Sequence, residues 1–303
     1  MAPVEEVHLS GSARPLQGRV AVVTGAARGV GAAMARELTR RGARVALLGR
    51  EESTLAQVRE TLPGARCWEV DVTDDAGMAR VADEVRDRMG PASVVVANAG
   101  LAEGGPFAES DPVTWRRVIE VNLIGSAISA RAFLPHLRAT GGYYLQIASL
   151  ASIGAAPMMS AYCASKAGVE SFAHSLRAEF AHEHVGVGIA YLNWTDTDMI
   201  RDADEHPVLR ELRAHMPKPA RKVYPAETVA ESLARAVERR SAAVYAPAWL
   251  RVTQLVRAAM PPVVTALSKR EIPRLQRETS FEGTGLLGAG GRADLGAGGR
   301  AGG

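Results

Sequence analysis

Tyr162 and Lys166 stand four residues apart in the run Tyr-Cys-Ala-Ser-Lys. On a helix, positions i and i+4 share a face, so a phenol and an ammonium can serve one site. A free tyrosine titrates near ~10. A lysine cation beside it favours the phenolate and brings proton transfer toward neutral pH, which is general acid–base chemistry. A second constellation is Thr24-Gly25-Ala26-Ala27-Arg28-Gly29-Val30-Gly31. Glycines there permit a tight turn and let backbone N–H groups approach a pyrophosphate at a helix N-terminus. The spacing is Gly-x3-Gly-x-Gly rather than the common Gly-x-Gly-x2-Gly. Read alone, each constellation has a plain alternative: a surface Tyr/Lys pair, and an ordinary strand–helix turn.

Both constellations need elements to position them, and the pattern supplies these. Short β-branched or apolar runs at 19–24, 43–48, 65–70, 92–97, 143–148, 185–192 and 242–245 read as strands. Helical spacing occupies 29–41, 53–62, 75–89, 111–137, 161–184 and 226–240. Strands alternating with helices imply right-handed crossovers and a parallel sheet covered on both faces. The expected fold class is α/β, a doubly wound Rossmann-type sheet forming one domain over residues 18–246. Residues 1–17 read as a polar arm. Residues 247–282 read as an amphipathic helical extension interrupted by Pro261 and Pro262. From 283 to 303, 10 of 21 residues are glycine and LGAGGRA occurs twice, the composition of a disordered tail.

With Asp71, Asn98-Ala99-Gly100, Asn122 and Ser149 added, the Gly25/Gly29/Gly31 turn and Tyr162-x3-Lys166 stand in a known order and spacing. They resemble the short-chain dehydrogenase/reductase family in its simple single-domain form, over residues 18–246. The resemblance implies that a ketone and a secondary alcohol are interconverted by hydride transfer. Tyr162 then corresponds to the general acid/base. Lys166 corresponds to its electrostatic partner and a ligand of the nicotinamide ribose. Ser149, 13 residues before Tyr162, would donate a hydrogen bond to the substrate carbonyl. Ser152 falls at the wrong spacing and reads as a loop hydroxyl. Asn122 matches the family's helix-kink asparagine, which holds a water in the proton relay. Asn98, Ala99 and Gly100 are expected beside the cofactor with the turn residues Gly25, Arg28, Gly29, Val30 and Gly31. Asp71 and Val72 match the adenine contact. Thr197 holds the place of the carboxamide threonine, and Thr195 is expected near the nicotinamide. One departure is clear: Leu192-Asn193 replaces the family's usual Pro-Gly. Asn tolerates left-handed backbone better than most residues, so the turn can survive.

The second strand ends Leu48-Gly49-Arg50, without the carboxylate that usually binds an NAD ribose. Arg28 and Arg50 offer guanidinium forks for a 2′-phosphate instead, so NADP is the expected cofactor. Glu51 or Glu52 would restore NAD if the strand ends later. Two rival functions stay open. One is a 3-oxoacyl thioester reductase, with Arg210, Arg213, Lys218, Arg221 and Lys222 as a carrier-binding patch. The other is a non-catalytic cofactor-binding regulatory or scaffold protein.

Composition narrows the rest. Hydrophobic residues make up 47% of 303, enough for a large core. The net charge of +3 is not a nucleic-acid footprint: residues 1–246 carry 28 basic and 29 acidic side chains, so the excess lies beyond them. Two cysteines, Cys67 and Cys163, cannot build a disulfide framework, and a reducing cytoplasm is the expected setting. No stretch of ~18 apolar residues lacks charge, so no transmembrane helix is expected. His182 and His184 read as solvated, since i and i+2 do not face one site, and no metal site is expected. Asp196 and Asp198 read as capping groups. Residues 199–223, with Met199, Ile200, Val208, Leu209, Leu212 and Met216, read as a lid over an apolar substrate. The extension is expected on the core or at a subunit interface, with 247–270 lying on an anionic membrane as the lesser alternative. The family's usual dimer or tetramer would form through helices 111–137 and 161–184.

Overall fold

Every side chain of the first strand is buried, and the fold is built outward from it. The computed structural model describes residues 15–214, 216–278, 283–288 and 290–291. Its strands are β1 (Val20–Thr24), β2 (Arg44–Gly49), β3 (Arg66–Glu69), β4 (Ala92–Ala97), β5 (Ala102–Glu103), β6 (Tyr143–Ser149), β7 (Gly186–Leu192), β8 (Ala243–Ala246) and β9 (Leu286–Leu287). Seven form one sheet in the order β3-β2-β1-β4-β6-β7-β8. All its pairings are parallel. The order reverses between β1 and β4, and that switch point leaves a crevice at the carboxyl ends of the strands.

Strand period 2 splits the core into two halves. Val20 and Val22 of β1 face one layer with Phe133, Leu137 and Val169, while Ala21 and Val23 face another with Met34, Leu38 and Leu233. The first layer holds α3 (Asp75–Met89), α5 (Gly125–Thr140) and α7 (Ser160–Phe180); the second holds α1 (Gly29–Arg40), α2 (Glu52–Glu60) and α11 (Ala226–Arg239). Local chemistry marks the helix starts. Asp74 caps α3 by accepting from Gly77 N at 3.0 Å. Asp111 caps α4 (Pro112–Ile119) by accepting from Val113 N and Thr114 N, with Pro112 in the first turn.

The structure departs from the sequence reading in several places. The helix expected over 111–137 is α4 and α5 joined by a π-helical turn, Glu120–Ile124, which contains Asn122. Such turns widen the helix and recur at functional sites. The combined run Pro112–Thr140 is long and apolar enough to cross a membrane by composition, at mean hydropathy 1.3. Half of that window is buried inside the fold, as a core helix requires. The helix expected to reach 184 stops at Phe180, followed by a 3-10 turn, and His184 takes a left-handed φ of 58°. The lid region is three short helices: α8 (Asp198–Glu205), α9 (Pro207–Ala214) and α10 (Lys218–Arg221).

The glycine-rich tail is not uniformly without structure. Leu286–Leu287 pairs antiparallel with Ala102–Glu103, and both leucines are buried. Two apolar side chains amid glycines are enough to dock a segment of that length. Residues 292–303, and the arm up to residue 14, lie outside the described residues. In the extension, α12 (Leu250–Leu255) and α13 (Met260–Glu278) are divided in character. Leu250 is fully buried, while Val252, Leu255, Val263 and Leu267 are exposed. Pro261 and Pro262 fall in the first turn of α13 and do not interrupt it.

Glycine substitutions test the close approach at the switch point. A methyl group on Gly31 would stand 2.1 Å from Gly25 O, so backbone must move. Gly31→Ala is expected to cost about 3 kcal/mol in thermal unfolding. Gly141→Ala, where φ is +53° but nothing lies within 4 Å, is expected to cost about 1 kcal/mol. Equal losses would mean that the turn is not tightly packed.

Candidate active site

The crevice at the switch point is floored by the glycine turn and clamped from β4. Thr24 Oγ1 accepts from Asn98 N and Ala99 N, both at 3.0 Å. Asn98 Nδ2 donates to Thr24 O and Gly25 O. Thr24 was visible in the sequence motif, but its double acceptor role was not. Gly25 and Gly29 adopt φ of +63° and +51°, and methyl groups on them would strike Ala99 Cα and Thr197 Cγ2. Thr197 thus lies directly on the turn. Every residue expected on the cofactor lines this cleft except Gly31, which is packed beneath it against Gly25 and Asn98.

At the outer end, long side chains pair in ways the sequence does not reveal. Arg28 donates to Glu51 Oε2, at 3.0 Å from Nε and 2.5 Å from Nη2. Asp71 accepts from Thr73 N and Oγ1 and from Arg117 Nη2 at 2.5 Å, and Arg50 lies 3.5 Å away. Burial works to raise the pKa of Asp71, but the Thr73 bonds and Arg117 together hold it below the usual range. Arg28, Arg50, Glu51 and Asp71 line the rim, and Arg117 braces Asp71 beside them.

At the inner end, Ser149 closes β6, and Tyr162 and Lys166 project from the first turns of α7. Lys166 is buried, its Nζ donates to Ile147 O at 3.2 Å, and Nζ sits 5.7 Å from the Tyr162 ring centroid. Burial pushes Lys166 down to about 8. Burial also pushes Tyr162 up to about 12, against the hydrogen bond from Ser149. The sequence reading expected the lysine to draw the phenol toward neutrality. In the structure desolvation outweighs it, because both groups are out of water. Tyr162 therefore stands as a protonated donor, with an ammonium behind it.

Asn122 sits on the π turn, and its side chain bonds to protein groups. Its Oδ1 accepts from Leu101 N at 2.7 Å, and its Nδ2 donates to Leu101 O and Ser165 Oγ at 2.9 and 2.8 Å. Both amide hydrogens are committed to protein, so the side chain ties the loop after β4 to α7. A methyl group on Gly100 would stand 3.2 Å from Asn122 Oδ1 and 3.6 Å from Lys166 Nζ, so the three crowd one corner. Ser152 Oγ donates to Lys166 O at 2.9 Å, a structural task as read. Asp196 and Asp198 both pair with Arg201. Among the described residues, no group of His, Cys, Asp and Glu side chains is arranged to hold a metal ion.

The Leu192-Asn193 departure has a consequence. Asn193 Nδ2 donates to Ala220 O and Lys222 O, which fixes the amide orientation. Its Oδ1 is then a buried acceptor with no partner. Such an atom is costly unless a ligand donor meets it. Asn193 lines the cleft beside Thr195 and Thr197, the side where a carboxamide is expected. Glycine cradle, orphan acceptor and buried lysine together fit a nicotinamide dinucleotide.

A second, apolar chamber adjoins the cleft. Ser149, Tyr162, Asn193, Met199, Ile200 and Leu287 line both spaces. A glycine turn at a switch point, with a Tyr–Lys–Ser set at its inner end, defines a nicotinamide-dependent oxidoreductase. The chain belongs to the short-chain dehydrogenase/reductase family, whose sequence model (short chain dehydrogenase) matches residues 19–207. It is an oxidoreductase acting on alcohol and ketone groups. It is 36% identical over 187 residues to the cis-4-hydroxycyclohexanecarboxylate dehydrogenase of Sinomonas cyclohexanicum, covering 60% of this chain and 75% of that one. It is 28% identical over 257 residues to an 11-beta-hydroxysteroid dehydrogenase A of Sesamum indicum, covering 82% and 73%. Among solved structures, a short chain dehydrogenase/reductase from Burkholderia phymatum in complex with NAD superposes with TM-score 0.70 at 25% identity, covering 80% of this chain and 93% of that one.

The buried ammonium generates a stability test. Lys166 in the folded protein titrates near 8, against 10.5 when free. Its charge therefore destabilises the fold fully below pH 8, and the penalty fades as pH rises toward 10.5. The shift is worth about 3 kcal/mol, less about 1 for the bond to Ile147 O. Lys166→Met is expected to raise the melting temperature at pH 7 by about 5 °C. The gain should vanish by pH 10.5, and no gain at pH 7 would mean that the ammonium is solvated.

Proposed function

We propose that the protein interconverts a ketone and a secondary alcohol with NADP(H), with Tyr162 moving the proton. The observation that carries this reading is the shared wall: Ser149 and Tyr162 border both the nucleotide cleft and the apolar chamber. A nicotinamide bound in the cleft supplies or takes the hydride. Ser149 and Tyr162 then offer hydroxyl donors to one carbonyl oxygen and hold its carbon toward the cleft. Tyr162 gives its proton as alkoxide charge develops. The Lys166 ammonium stabilises the phenolate left behind. Asn193, Thr195 and Thr197 would hold the carboxamide. Asn122 is a positioning residue that keeps Leu101 and Ser165 in register with Lys166.

NADP is favoured by the two guanidiniums at the rim. Strand β2 ends at Gly49, Arg50 follows it directly, and Arg28 reaches the same place from the turn. A 2′-phosphate offers them bidentate partners in place of Glu51 and Asp71. A thioester reductase draws less support from the lid. Arg213 of its basic run pairs with Asp204 at 2.6 Å and lies over Trp194.

Purified protein is assayed by loss of NADPH absorbance against a ketone panel. Tyr162→Phe is expected to lower turnover roughly a thousandfold while NADPH binding, followed by fluorescence, is retained. Full turnover in the variant would remove Tyr162 from the proton path. Binding of NADPH without turnover on any ketone would favour the scaffold reading.

Arg28→Ala and Arg50→Ala are each expected to raise KM for NADPH about tenfold and to leave KM for NADH nearly unchanged. Equal or better efficiency of the wild type with NADH would assign the ribose to Glu51 and overturn NADP.

A further inference from the structure

The chamber beside Tyr162 takes its far wall from beyond the segment that matches the family. Met260 and Val264 of α13 and Leu287 of β9 line it together with Tyr162. Among the described residues, no Asp, Glu, Lys, Arg or His lines the space. These wall residues are held firmly. Thr284 Oγ1 accepts from Gly104 N and Thr284 N donates to Gly104 O, both at 2.8 Å. Gly288 N donates to Asp202 Oδ2 at 2.9 Å, which ties the far end of β9 to α8. Leu287, only 2% exposed, borders both the nucleotide cleft and the chamber. Met260 packs against Gly154, where a methyl group would come within 3.0 Å of its Cε.

We propose that Leu287, with Met260 and Val264, sets the substrate range of the alcohol/ketone reaction, and that the substrate is an uncharged carbonyl compound with a compact apolar body. This rests on the reaction proposed above. The chamber measures about 160 Å³. An apolar cavity of roughly 150 Å³ holds a benzene ring. The body that fits beside the reacting carbonyl is thus a ring or chain of about six carbons. A carboxylate placed there would meet an apolar wall with no cationic partner among the described residues, so charged analogues are disfavoured.

The test uses the full chain with cyclohexanone, 4-tert-butylcyclohexanone and 4-oxocyclohexanecarboxylate, and reads ratios of kcat/KM. Ratios cancel any effect of Leu287 on the cofactor. The wild type is expected to prefer cyclohexanone over the carboxylate by about a hundredfold. Leu287→Ala is expected to shift preference toward the tert-butyl ketone by about tenfold or more. If that variant fails to fold by circular dichroism, Val264→Ala carries the same comparison. Turnover of ketones with ratios unchanged in these variants, or equal use of the carboxylate, overturns the proposal and leaves the reaction standing. Ligand-observed NMR of cyclohexanone with the wild type and Leu287→Trp separates the opposite case. Binding that is lost in Leu287→Trp, without turnover in the wild type, supports the chamber and overturns the reaction. Cyclohexanone that binds equally to both proteins overturns the chamber.

Discussion

One threonine hydroxyl holds the switch point together. Thr24 ends the central strand, and its oxygen accepts two successive backbone N–H groups from the end of β4. The side chain of Asn98 returns the clamp by binding the carbonyls of Thr24 and Gly25. These bonds fix where the glycine turn lies. The turn fixes where α1 begins, and Thr197 rests on it from the start of the lid. Cleft, lid and catalytic wall are all referred to this junction. The absence of side chains at Gly25 and Gly31 is as necessary as the bonds, since backbone atoms fill the space where Cβ atoms would go.

The inner end of the site works against solvation. Tyr162 and Lys166 are both buried, and burial shifts them in opposite directions: the phenol upward and the ammonium downward. Each shift favours the neutral form. In the proposed reaction, a proton moving off Tyr162 would create a buried phenolate beside a buried cation, and the two ionic forms would support each other.

Most of the fold could be read from the chain because its strands are continuous apolar runs bounded by glycine, as parallel buried strands require. Strand β1 starts one residue later than its pattern suggested, and β2 ends one residue later. What could not be read depends on distance in sequence. Strands β5 and β9 have two residues each, too few for any period, and their partners lie far apart in the chain. The Arg28–Glu51 and Arg117–Asp71 pairs depend on where long side chains reach. The π turn leaves the helical pattern around Asn122 almost unchanged, so a kink was expected there only from the family resemblance. The Tyr/Lys pairing was legible at four-residue spacing, but its burial is a tertiary property and reversed the expected shift. The orphan oxygen of Asn193 was likewise hidden, although the unusual residue itself stood in plain view.

Glu170 sits one turn beyond Lys166 on α7, almost fully buried. Its carboxylate accepts from Tyr191, Gln254 and Arg257, and Arg257 also reaches Ser152 O. Burial raises its pKa, but these donors together keep it below the usual range. Arg257 itself stays nearly half exposed, so only the carboxylate side of this pair is shut from water. Arg257 is 87 residues downstream of Glu170. The helix that carries Tyr162 and Lys166 therefore completes its charge pairing only when α12 and the turn after it dock. The extension thus braces that helix one turn beyond Lys166.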